Sequence, residues 1–176
     1  MGRFVLPGLA VAIGLAAGCL SSFTANNETA PREGAFAPTV EGIDANAQPM
    51  RLRDHKGKVI MLSFWHSSCP PCRAMFEHER QLVERYAGKP FVLLGINTDP
   101  SPFQLRQTHE KARLTWPSWW EEPNGPICRV WNVDRFPTIF LIDAENKVRL
   151  RQVGAPAEGV LAKKIDELLK EAEAGS

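Results

Sequence analysis

The chain has 176 residues, 44% of them hydrophobic and 23% charged, which excludes wholesale disorder and fits one domain of about 100–150 residues with extensions. Its 21 basic and 20 acidic side chains leave a formal charge of +1, without the basic excess expected of a nucleic-acid binder. Four cysteines are too few to frame a disulfide-built miniprotein, and two stand in a Cys-x-x-Cys spacing that makes redox or metal chemistry the leading question.

Residues 1–19 read as an export leader. Arg3 supplies a short positive start, and Phe4 to Ala17 is apolar or small apart from Pro7 and the glycines. That run of about 14 residues falls short of the roughly 20 that span a bilayer comfortably. It ends in Leu15-Ala16-Ala17-Gly18-Cys19, small residues ahead of a cysteine, similar to a bacterial lipoprotein processing site at which Cys19 would carry lipid. Ala16 stands where that pattern prefers a larger aliphatic residue. Cleaved soluble export and an uncleaved anchor stay open beside lipidation; all three place the domain outside the cytoplasm. Residues 20–35, rich in Ser, Thr, Asn, Glu, Pro and Gly, read as a flexible tether.

The folded part is expected over 36–172 and alternates strands with helices. Val59 to Trp65 is almost wholly apolar, the signature of a strand covered on both faces. After Cys72 a helical stripe runs through Met75, Phe76, Leu82, Val83 and Tyr86. Phe91 to Ile96 is a second buried strand, followed by a helix near 103–112 and then loops rich in Pro and Trp. Thr138 to Ile142 is a third strand, turned at Asp143 to Asn146 into a half-exposed partner at 147–153. Pro156 can open a last helix striped by Val160, Leu161, Ile165, Leu168 and Leu169. With a short strand or loop near Met50 to Leu52, this predicts an α/β fold, a central mixed sheet flanked by helices.

The chemistry sits where a buried strand passes into a helix through Trp65-His66-Ser67-Ser68-Cys69-Pro70-Pro71-Cys72. A cysteine at a helix N-terminus meets free N–H groups and the positive end of the dipole, which favour thiolate. The spacing lets Cys72 close a disulfide with Cys69, with Cys69 exposed and attacking and Cys72 shielded and resolving. His66 either tunes Cys69 or is an ordinary loop residue. Trp116, Trp119, Trp120 and Trp131 line a substrate face or pack internally, and Cys128 reads as a buried, inert thiol.

Phe64-Trp65 before Cys-Pro-Pro-Cys, followed far downstream by Phe136-Pro137-Thr138-Ile139-Phe140-Leu141-Ile142-Asp143, resembles the TlpA/ResA branch of the thioredoxin-like thiol–disulfide oxidoreductases. Gly57-Lys58-Val59 and Gly95-Ile96-Asn97 are similar to it too, and the resemblance runs from about Ala37 to Leu169. It implies a thioredoxin-like fold and a cis peptide before Pro137 beside the disulfide, with the Phe136 backbone open to an extended substrate. It also implies an envelope enzyme that reduces disulfides in exported proteins, apocytochrome c being one client type. The redox-active pair then works without a cofactor or metal, as a monomer on an N-terminal membrane anchor, recharged by a membrane dithiol donor.

The chain departs from the pattern in several places. Ser68 replaces a second Trp, Glu77 replaces a helix proline, and Ser63 stands where thioredoxins carry a buried Asp. Asp99 is the nearest replacement acid, as a proton relay or as a loop or capping residue. A copper metallochaperone using Cys69, Cys72 and a histidine is the competing reading, although such relatives space the cysteines one residue wider. Structural zinc lacks convergent ligands, and a peroxiredoxin would need a Thr shortly before the cysteine, where none stands between Phe64 and Cys69.

Overall fold

The computed structural model describes residues 1–2 and 30–175; Cys19, almost all of the leader and most of the tether lie outside the described residues. The ordered fold is entered earlier than the expected residue 36. The Gly34 N–H donates to Val148 O at 2.7 Å, Ala35 O accepts from the Val148 N–H at 2.8 Å, and Phe36 bridges Lys147.

A hairpin of β1 (Glu41–Ile43) and β2 (Pro49–Arg51) leads through a 3-10 turn at Leu52–His55 into β3 (Val59–Trp65). Then follow α1 (Pro70–Arg85), β4 (Phe91–Asn97), α2 (Pro102–Ala112), β5 (Ser118–Trp120), α3 (Pro126–Val130), β6 (Thr138–Ile142), β7 (Val148–Val153) and α4 (Val160–Ala174). The main sheet runs β5-β4-β3-β6-β7. β3, β4 and β5 are parallel and β6 and β7 antiparallel to their neighbours, so the α/β expectation of a mixed sheet is met.

Alternate residues of β3 divide the core. Val59, Met61 and Trp65 face α1, α2 and α4 through Met75, Phe76, Leu82, Leu105, Leu161 and Ile165. Ile60, Leu62 and Phe64 pack with Leu52, Cys128, Trp131 and Phe140 on the other face. Every residue of β3 and β6 is buried, which is why both read as nearly continuous apolar runs rather than alternating ones.

Two elements expected only as loop are regular. β5 is a three-residue edge strand paired with β4 through Gly95↔Ser118 and Asn97↔Trp120, and α3 is a five-residue turn of helix. Trp119 in β5 and Trp131, the residue that caps α3, are fully buried, and Trp119 Nε1 donates to Met50 O at 2.8 Å. The tryptophans at 116, 119 and 131 therefore pack the core. The last helix starts at Val160 rather than at Pro156, because Gly159 takes a left-handed turn at φ 80° immediately before it. No helix among the described residues is long and apolar enough to cross a membrane.

Candidate active site

β3 carries the chain to the edge where the loop 66–69 turns into α1. Cys69 is the N-cap of that helix, and Pro70 and Pro71 occupy its first positions. Proline is tolerated there because the first helical N–H groups have no intrahelical acceptor. Cys69 and Cys72 are joined as a disulfide with Cα atoms 5.3 Å apart. The Cys72 N–H points at Cys69 Sγ, at 3.2 Å.

Cys69 is less open than its expected role suggests, at 6% exposure against 1% for Cys72. The difference between the two keeps the expected order even though both are largely covered. In the reduced protein, limiting alkylation should label Cys69 well before Cys72, read by peptide mass spectrometry. Equal labelling would count against this assignment of roles, and faster labelling of Cys72 would reverse it.

The loop is held from below by Asp99. Its Oδ1 accepts from the Ser67 N–H at 2.8 Å and from Ser67 Oγ at 2.9 Å. Its Oδ2 accepts from Asn97 Nδ2 at 3.0 Å, and its carbonyl accepts from Trp120 Nε1 at 2.8 Å. Asp99 is 1% exposed and binds the loop two residues ahead of Cys69. Across from this loop, the Phe136–Pro137 peptide is cis. His66 joins the two sides: Nδ1 lies 2.9 Å from Ser68 Oγ, and its ring meets the Phe136 ring edge-on with centroids 5.1 Å apart. His66 thus links the loop that carries Cys69 to Phe136, the residue ahead of the cis-proline.

Trp65 lies beneath, its ring edge-on to Phe76 at 5.2 Å and tilted over His109 at 6.2 Å. Gly95 is required beside it. A Cβ there would sit 2.8 Å from Trp65 Nε1 and inside Ser118.

One group near this face was absent from the sequence-based site. Glu79, on α1, is 1% exposed, and Ser63 Oγ donates to its Oε1 at 2.6 Å. Burial pushes its carboxyl up to about 7, opposed by the Ser63 hydrogen bond. Ser63 therefore does not leave this region without an acid: the carboxyl comes from the helix instead of the strand. The signal was available. Glu79 falls on the same helical face as Cys72, Met75, Phe76 and Leu82, an acid in the apolar stripe.

Cys128 is buried on the far face of the sheet. Burial, followed by the neighbouring Glu121, raises its thiol pKa. Glu121 also accepts from the Ile127 and Cys128 N–H groups, each at 2.8 Å, so this corner serves the start of α3. Among the described residues no group of three or more His, Cys, Asp or Glu side chains is arranged to hold a metal ion.

A disulfide at the head of a helix, entered from a parallel strand and faced by a cis-proline loop, defines a thioredoxin-type thiol–disulfide protein. The chain belongs to the AhpC/TSA family, whose model matches residues 34–151, and within it is similar to the TlpA/ResA-like thiol–disulfide oxidoreductases. It is similar to the thiol-disulfide oxidoreductase ResA of Bacillus thuringiensis, at 28% identity over 65% of this chain and 66% of that protein, just under two thirds of its length. It is similar also to the thiol:disulfide interchange protein HelX of Rhodobacter capsulatus, 29% identical over 77% of this chain and 76% of that one. A crystal structure of a DsbE-type thiol:disulfide interchange protein from Chlorobium tepidum superposes with a TM-score of 0.74, at 30% identity over 80% of this chain and 99% of that one.

Proposed function

We propose that the protein is a reductant of disulfides in exported proteins at a bacterial envelope membrane, held there by its N-terminus. The observation that carries the reading is the Cys69–Cys72 disulfide at the head of α1 with two prolines between its cysteines. In the reduced protein the Cys69 thiolate attacks one sulfur of a client disulfide. The bond between the client sulfurs breaks, one leaves as thiolate, and a mixed disulfide forms. Cys72 then attacks Cys69 Sγ, releasing the second client thiol and restoring the internal disulfide, so two electrons pass to the client. A membrane dithiol donor returns them. Apocytochrome c is the client type this reading favours, and the Phe136 backbone is the edge on which an extended client segment would lie.

The direction follows from the second proline. Thioredoxin-like potentials run from about −270 mV to about −120 mV, and stabilising the thiolate moves a protein toward the oxidising end. Pro71, at the second helical position from which an N-cap side chain can accept, has no N–H, so one of the two donors open to the Cys69 sulfur is missing. The Cys72 N–H and the helix dipole remain. The whole span corresponds to about 7 kcal/mol, at about 1.4 kcal/mol per 30 mV. One lost charge-assisted hydrogen bond, at roughly 1.5–3 kcal/mol, covers a substantial part of it.

A glutathione redox titration beside an insulin-type reduction assay tests this. The expected midpoint lies below about −160 mV, toward the thioredoxin end, with turnover of the disulfide substrate. A midpoint above that value would overturn the reductant assignment, and stoichiometric copper on the reduced protein without turnover would replace it by the metallochaperone reading.

A further inference from the structure

We infer that the groove between α1 and α2 beside the disulfide is a docking site for acidic polypeptide segments that flank the cysteines of client proteins. The inference rests on the thiol–disulfide exchange proposed above and specifies its client.

The groove has a volume of about 990 Å³ and opens beside Ser67, in the same loop as Cys69. It follows α1 through Arg73 and Arg80 and α2 through Lys111 to Arg113, with Glu77 as the one acid in its lining. Arg80 is engaged, pairing with Glu77 and donating from Nη2 to Ala112 O at 2.8 Å, which ties the two helices together at depth. The other three cations are free of acids. Arg73 donates only to Ser67 O, at 3.3 Å, and among the described residues no carboxylate pairs with Arg73, Lys111 or Arg113. All three are exposed.

In a chain of net charge +1 this is segregation, and the opposite end of β3 shows its counterpart. There Asp143, Glu145, Glu171 and Glu173 surround two cations, Lys147 and Arg149, both already ion-paired. Of the two grooves, the one beside the disulfide is thus the one lined by unpaired cations. A groove lined by one sign of charge raises the local concentration of an oppositely charged partner and its rate of association. An extended acidic segment laid along α1 and α2 from the Ser67 end would hold its own disulfide next to Cys69.

The test uses two disulfide-containing peptides identical around their cysteines, one with an Asp/Glu-rich flank and one with a Ser/Asn-rich flank. Rates of reduction by the reduced protein are compared at low and high salt. For the native chain the acidic peptide should react about tenfold faster at low salt, and the ratio should fall toward one at high salt. The double variant Lys111→Glu/Arg113→Glu should bring the ratio to one or below. Lys56→Glu/Lys170→Glu, with the same change in net charge on exposed positions elsewhere, should keep it. A ratio near one in the native chain, or an equal loss in both double variants, would overturn the docking site. Failure to reduce either peptide would instead count against the exchange activity itself.

Discussion

Glu79→Gln is expected to stabilise the folded protein at pH 8 by about 3 kcal/mol while leaving its stability near pH 4 almost unchanged. A carboxylate in an apolar core without a cation is costly, and the group answers by holding its proton. Here the folded value is about 7 against an ordinary 4.5. Between those two values the folded chain keeps a proton that the unfolded chain releases. Stability therefore falls as pH rises through that window and is flat on either side of it. At about 1.36 kcal/mol per pH unit, the span from 4.5 to about 7 sets the magnitude of about 3 kcal/mol. Glutamine keeps the shape and can still accept from Ser63 Oγ, but it has no charge to bury. Ser63→Ala works in the opposite direction, because the hydrogen bond it removes holds the carboxyl down, and the fall should extend to higher pH. Urea unfolding at pH 4, 6 and 8 measures both. Parallel pH profiles for the native chain and Glu79→Gln would show that the carboxyl is not taken up into the core.

The strands that position the site were legible because each is covered on both faces, so β3, β4 and β6 appear as apolar runs with no competing pattern. The Cys-Pro-Pro-Cys segment was legible for a local reason: its helix begins within the motif. β5 was not, since three residues, Ser118-Trp119-Trp120, are too few to display a period of two, and their strand character comes from pairing with Gly95 to Asn97. Tryptophans read from sequence fit a substrate face or a core equally well, and only the sheet's position decides. Glu79 was hidden by its neighbours, because Glu77-His78-Glu79-Arg80 looks like a solvated stretch until the helical phase is followed through it. Asp99 presents the harder case. Its partner Ser67 lies 32 residues away, and nothing local in either segment encodes that contact.

That contact sets the second large effect, on rate. Asp99→Ala should slow reduction of a small disulfide substrate by about 10- to 100-fold and cost about 3 kcal/mol of stability. The carboxylate satisfies the Ser67 N–H, the Ser67 hydroxyl and the Asn97 side-chain amide at once. Removing it leaves buried donors unmatched, at roughly 1–3 kcal/mol each. The released loop carries Cys69, and a displacement of about 1 Å at an attacking group can cost about 10²-fold. Asp99→Asn separates holding the loop from moving protons. Its oxygen can still accept from Ser67, but its amide then opposes the Asn97 amide, donor against donor, because Asn97 Oδ1 already accepts from the Asp99 N–H at 3.1 Å. If Asp99 holds the loop, this variant should be slowed by the same factor at every pH from 6 to 9, and by less than Asp99→Ala. A proton relay through Asp99 would instead displace the inflection of the pH–rate profile in the Asn variant. Stopped-flow rates across that range, measured on protein shown to be folded by circular dichroism, distinguish the two, and a displaced inflection would move Asp99 from positioning the loop to handling its protons.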